Sequence, residues 1–152
     1  MSDLLLNQYG AATVGDFGSM FCKRQIGRGI GREVYVLETD PTKIVKIEIG
    51  SQSFQNVIEW ETWDKLEDTP HAKWLAPCRH ISPCGIVLIM DRTQPLRPGE
   101  EPDRMPAWLN DHKRSNYGRL GKRVVCHDYG TNLLLNHGAF NSRMRKVEWV
   151  AP

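Results

Sequence analysis

Asp111, Lys113 and Asn116 fall within six positions in the stretch Leu109-Asn110-Asp111-His112-Lys113-Arg114-Ser115-Asn116, and Asp128-Tyr129-Gly130 begins seventeen positions after Asp111. Upstream, Lys46 stands in an alternating apolar stretch at 43–49, and Glu59 stands in a helix-like stretch at 51–66. Earlier still, Gly27-Arg28-Gly29-Ile30-Gly31-Arg32-Glu33-Val34 carries three glycines. Glycines let backbone amides come close to an anion such as a phosphate. One chemistry uses all of these residue types together. Phosphoryl transfer asks a protein mainly to align its reactants and to neutralise charge.

The elements that must position these residues belong to a chain of 152 residues, long enough for one domain with a substantial core. Hydrophobic residues make up 40% and charged residues 25%, as in ordinary globular proteins. Net charge is +2, which makes nucleic acid an unlikely default partner. The basic groups His112-Lys113-Arg114 and Lys122-Arg123 read as solvated surface. No apolar run approaches the roughly 20 residues of a membrane span. Residues 1–10 carry an acidic residue and no basic one, so they do not read as a secretory signal. The expected location is the cytoplasm. Four cysteines are present, with no C-x-x-C pair, and Cys78, His80 and Cys84 fit no common zinc spacing. The reading is of reduced cysteines packed in strands. The five histidines show no ligand spacing.

Residues 20–49 read as three strands. The first, 20–27, leads into the glycine-rich turn, and 33–37 is β-branched and aromatic. Asp40-Pro41-Thr42-Lys43 is a turn. In 43–49, Ile44, Lys46 and Glu48 share one face, and Val45, Ile47 and Ile49 share the other. Residues 51–66 are helical, capped by Ser51 or Ser53, with Glu59, Trp63 and Leu66 on one face and Glu61 off it. Gly50 and Pro70 bracket the helix. Residues 75–82 and 85–91 form a strand pair joined by Pro83-Cys84-Gly85, and the apolar run 86–90 suits a strand buried on both faces. Residues 92–106 are rich in Pro, Gly and charge and read as a loop or hinge. A short helix is expected at 106–110, and a hairpin at 117–120 and 123–127 around Gly121-Lys122. After Gly130 the pattern is weak, with one short apolar segment at Leu133-Leu134-Leu135.

In this order the chain resembles a much-shortened member of the protein-kinase-like superfamily, and small proteins of this kind occur in bacteriophage genomes. The implied fold is α+β: a kinase-like N-lobe at 1–91 (antiparallel sheet plus one helix), a hinge or loop at 92–106, and a much-reduced C-lobe at 107–152. The C-lobe would carry the catalytic loop and a hairpin leading to the D-F-G-like motif. Gly27, Gly29 and Val34 match the glycine loop G-x-G-x-x-G-x-V, with Arg32 in place of the third glycine and placed to reach a phosphate. Ile44-Val45-Lys46 resembles the V-A-I-K strand, whose Lys pairs with the α and β phosphates. Glu59 resembles the helix Glu that pairs with that Lys. Met90 falls at the gatekeeper position, with the backbone of 91–93 facing the adenine. Asp111, Lys113 and Asn116 match D-x-K-x-x-N. The resemblance makes Asp111 the acceptor of the substrate hydroxyl proton, gives Lys113 the transferring phosphoryl charge, and assigns Asn116 and Asp128 to magnesium. It thus implies ATP and Mg2+ as cofactors, and a Ser/Thr hydroxyl or a small molecule as acceptor.

The departures are specific. Leu109-Asn110 replaces the usual His-Arg before the catalytic Asp, fourteen residues (97–110) precede Asp111 after the hinge, and 22 follow Gly130. No A-P-E match occurs. These departures carry the alternative expectation of a pseudokinase-like module that docks a protein partner without catalysis. The five tryptophans point the same way, towards an uncovered apolar surface for a host protein or a homodimer. A phage-encoded chain of this kind would act in the host cytoplasm.

Overall fold

A computed structural model describes residues 16, 18–49, 54–132 and 143–150. The expected caps Ser51 and Ser53, Gly50, and the segment Leu133-Leu134-Leu135 lie outside them, as do residues 1–10.

The architecture is α+β. Strands β1 (Cys22–Arg28), β2 (Arg32–Leu37) and β3 (Lys43–Glu48) follow in sequence, then helix α1 (Gln55–Leu66), then β4 (Cys78–Ile81) and β5 (Val87–Asp91). These five strands form one antiparallel sheet in the order β1-β2-β3-β5-β4. The β2–β3 turn forms as its chemistry suggests: Thr42 donates its amide to the Asp40 side chain at 3.0 Å. The β4–β5 turn places Gly85 at φ +75°, with Val57 Cγ2 only 2.6 Å from where a Cβ would stand.

Strand alternation sorts the sheet's two faces. Ile44, Cys78, Leu88 and Met90 face the main core, which also holds Leu66, Leu75, Met105, Trp108, Leu109, Tyr117, Val125 and Tyr129. Val45, Ile47 and Leu37 face a smaller cluster with Phe21, Tyr35, Val87 and Ile89. The run 86–90 is therefore sealed on one face and only half covered on the other, because Ile86, Val87 and Ile89 pack against this lesser cluster. Trp108 is buried and the other four tryptophans are half-buried, so none is an exposed anchor. Among the described residues, the exposed large apolar ones are Met20, Ile26, Ile30, Phe54 and Val150.

Beyond β5 the chain forms β6 (Arg104–Pro106), the hairpin β7 (Tyr117–Leu120) and β8 (Arg123–Cys126), and β9 (Met144–Lys146). Strand β6 pairs with β9 in a separate two-stranded ribbon. The hairpin turns at Gly121, φ +62°, where the sequence places it. The expected short helix at 106–110 is absent. Pairing with β9 holds 104–106 extended, and a single turn follows, closed by the Leu109 amide on the Pro106 carbonyl at 3.1 Å and not continued into a helix.

Candidate functional site

The register of the sheet sets the site. Gly27 lies opposite Val34, Val34 opposite Lys46, and Lys46 opposite Leu88, in one row across four strands. Arg32 lies opposite Glu48, two residues along the same pleat, so its side chain leaves the same face as Lys46. Both reach Glu59 on α1. Lys46 Nζ donates to Glu59 Oε1 at 3.0 Å and Oε2 at 2.8 Å, and to the His127 carbonyl. Arg32 grips the same carboxylate in a two-pronged pair at 2.9 and 3.0 Å. Its Nη2 also reaches Asp128 Oδ1 at 2.8 Å, and its Nη1 reaches Asn56 Oδ1 at 3.2 Å.

Lys46 is 2% and Glu59 0% exposed, so the pair sits beyond the screening of solvent. Burial alone would raise the Glu59 carboxyl. The Lys46 and Arg32 charges outweigh it and hold the group down to about 2. An ammonium has three protons to donate. Those of Lys46 go to two carboxylate oxygens and a carbonyl, so to touch an anion it must exchange one of them.

The segment 127–132 is bound onto α1 by its main chain. The Tyr129 amide donates to Glu59 Oε1 at 3.0 Å. The Tyr129 hydroxyl donates to the Ala76 carbonyl at 2.8 Å, so the Cys78 thiol is the donor in their 3.1 Å contact. Burial pushes that thiol up to about 12. Gly130 lies so close to the helix that a Cβ would meet Gln55 Cβ at 3.0 Å and its carbonyl at 3.2 Å. Asn132 donates to Thr62 Oγ1 at 2.9 Å.

His127 links this segment to the two before it. Its Nε2 contacts the Ser115 carbonyl at 2.9 Å and must carry the proton, so Nδ1 accepts from the Thr93 hydroxyl at 2.8 Å. The His127 amide donates to the Asn116 carbonyl at 2.9 Å. Asn116, 7% exposed at the end of the 3-10 turn Arg114–Asn116, is thereby held beside the residue that precedes Asp128.

The structure thus gathers Arg32, Lys46, Glu59 and Asp128 into one cluster and sets Asn116 on the adjoining turn. Asp111 stands apart, half exposed, 3.6 Å from Lys113. Among the described residues, no hydrogen bond or ion pair joins Asp111 or Lys113 to Arg32, Lys46, Glu59 or Asp128, though the Lys113 carbonyl accepts the Asn116 amide at 2.9 Å. Gly27 and Gly29 belong to a tight β1–β2 hairpin, closed by the Gly29 amide on the Arg32 carbonyl at 2.8 Å. Val34 is partly buried against the core and Met90 fully buried within it. The segment after Met90 is clamped: Arg92 donates its amide to the Thr42 carbonyl at 2.8 Å, and Gln94 and Arg119 exchange amide bonds at 2.9 and 2.7 Å. Gly118 fits beneath it, where a Cβ would lie 2.8 Å from the Gln94 carbonyl.

Several partners carry no signal in sequence spacing: Asn56, Thr62, His127 and Asn132. Glu48 is another, because its Oε1 accepts the Asn56 amide at 2.8 Å and so caps α1 from a strand. For a divalent cation, Asp128 and Asn116 offer carboxylate and amide oxygens, the hard donors magnesium takes. Asp128 is half exposed and Asn116 lies next to it in the fold, so the residues fit such an ion in donor type. Among the described residues, no three His, Cys, Asp or Glu side chains converge as a metal site. No family model matches the chain, and no curated protein matches it significantly.

Proposed function

We propose that the chain is an ATP- and magnesium-dependent phosphotransferase of the protein-kinase-like type, with a Ser/Thr hydroxyl or a small molecule as acceptor. The observation that carries this reading is the convergence of Lys46, Glu59 and Asp128, from a strand, a helix and a distant loop, on one cluster whose Lys46–Glu59 pair is buried and whose Asp128, joined through Arg32, is open to solvent. Asp128 and Asn116 would hold the magnesium, which when bound neutralises charge between phosphates. The chain's own residues do the rest. As it stands the cluster is neutral, with Arg32 and Lys46 balanced by Glu59 and Asp128. Once the Asp128 carboxylate turns to a cation, Arg32 Nη2 loses its bond to Asp128 and has a proton to offer a phosphate. Glu59 keeps Lys46 and Arg32 oriented, and its depressed pKa keeps it ionised across the physiological range. Asp111, partly open to solvent, is the group that would accept a proton from an incoming hydroxyl.

A second reading, a pseudokinase-like module that docks a partner protein, has its own support. Every Lys46 proton is engaged, Arg32 sits on Asp128, and the segment after Met90 is closed against β7. A thermal-shift measurement with ATP, with and without magnesium, separates the two. At 100 times its Kd, a ligand stabilises the native state by about 2.7 kcal/mol. Phosphotransfer requires a magnesium-dependent rise in melting temperature that Asp128→Asn loses, each protein being compared with its own ligand-free state. It also requires transfer of labelled γ-phosphate that Asp128→Ala abolishes. No rise in either protein would favour docking.

A further inference from the structure

We propose that the β6–β9 ribbon carries a second binding site, a basic concavity for an acidic polypeptide segment. The concavity, about 430 Å3, is lined by Arg104, Ala107, Arg143, Met144, Arg145 and Lys146. All four cationic residues are exposed. The register sets Arg104 directly opposite Lys146. Like charges facing each other across a ribbon destabilise it. Here hydrogen bonds hold the ribbon against that repulsion: the Val147 amide donates to the Asp103 carbonyl at 2.9 Å, and the Arg104 side chain donates from Nη2 to the Met144 carbonyl at 3.0 Å. Among the described residues, no ion pair engages Arg104, Arg145 or Lys146, whereas Lys23, Lys43, Arg79, Arg114 and Arg119 each have a carboxylate within 4 Å. Asp103 and Glu148 flank the ribbon without lining the concavity. The repulsion between Arg104 and Lys146, which no carboxylate among the described residues offsets, is relieved by an anionic partner.

The position of the site gives the occupant a place. Beyond β9 the chain runs on to Val150, whose amide donates to the His112 carbonyl at 3.1 Å, and the Arg145 charge of the concavity acts on His112, the neighbour of Asp111. A polypeptide fits better than a nucleic acid. No aromatic side chain lines the concavity to stack on bases. The chain's net charge of +2 also supplies little of the extended field that a phosphate backbone exploits.

The test uses the full chain without nucleotide or magnesium, so that its failure leaves the phosphotransfer reading untouched. A fluorescein-labelled twelve-residue peptide of Glu and Asp is titrated by fluorescence anisotropy. Parent protein is compared with the Arg145→Glu/Lys146→Glu double variant and with a Lys23→Glu/Lys122→Glu control. Lys146→Glu sets an opposite charge across from Arg104, so the ribbon is retained, as circular dichroism and the melting temperature would show. The expected result is a loss of affinity of about ten-fold or more in the ribbon variant, under about two-fold in the control, and weakening with salt. Equal losses in both variants, or no binding by the parent, would overturn the proposal. So would tighter binding of a single-stranded oligonucleotide of matched charge.

Discussion

Glu59 receives Arg32, Lys46 and the Tyr129 amide at once, so its charge is the common counterweight for two buried cations. Glu59→Gln keeps the shape but leaves both cations undercompensated. Removing one partner of a buried ion pair costs about 3–5 kcal/mol, and a loss of that size is expected in urea unfolding. The same residue fixes an acid limit. Its carboxyl ordinarily titrates near 4.5 and is held at about 2 in the native state. The folded protein therefore binds this proton less readily than the unfolded chain, and the stabilisation is present above pH 4.5. It is lost as pH falls from there through 2. Melting temperature against pH should drop across that window in the parent, and Glu59→Gln should lack this component. Arg32 makes a different prediction. On the proposed reading, a divalent cation would compete with it for Asp128, so Arg32→Gln should tighten Mn2+ binding about three-fold or more in an electron paramagnetic resonance titration. Weaker binding in that variant would show that Arg32 supports the ion instead. Lys46, Glu59 and Asp128 were legible because strand alternation, helical spacing and an Asp-x-Gly turn each leave a pattern. The partner of Arg32 was not, since nothing local tells a cation which distant carboxylate it will meet.

At the scale of elements, α1 shows why part of the fold escapes sequence patterning. Its buried positions are Asn56, Glu59, Thr62 and Leu66, a largely polar face that docks through hydrogen bonds and ion pairs. Hydrophobic periodicity therefore marks only one end of the contact. The three-residue strands β6 and β9 are likewise too short to alternate visibly, and Pro106 at the end of β6 disguised it as a helix start. The β7–β8 hairpin was plain, because Gly121 supplies the positive φ its turn demands. The close seating of 127–132 on α1 depends on Gly130. Gly130→Ala would push a methyl against Gln55, at a cost of about 1–3 kcal/mol. Equilibrium unfolding would show the loss, and amide exchange of Tyr129 should quicken with it as its bond to Glu59 lengthens.

At the scale of the molecule, the main core draws residues from β3, α1, β5, β6 and the β7–β8 hairpin, with Val147 closing it beyond β9. One core shared by both halves argues against independent melting of residues before and after 91. Tryptophan fluorescence and far-ultraviolet circular dichroism should report coincident transitions. Met105, fully buried though it lies in the ribbon, ties that ribbon to the rest, and Met105→Ala should cost about 2–5 kcal/mol in the same transition. The reciprocal Gln94–Arg119 bonds, with Gly118 pressed beneath Thr93, have a kinetic consequence. On the proposed phosphotransfer reading, the two halves are stitched at the point where they would have to swing apart, and a nucleotide would reach Lys46 only when local contacts break. Association is then gated by an internal event. In stopped flow, the observed rate should then level off as nucleotide concentration rises, at a plateau set by the breaking of the Gln94–Arg119 bonds rather than by diffusion.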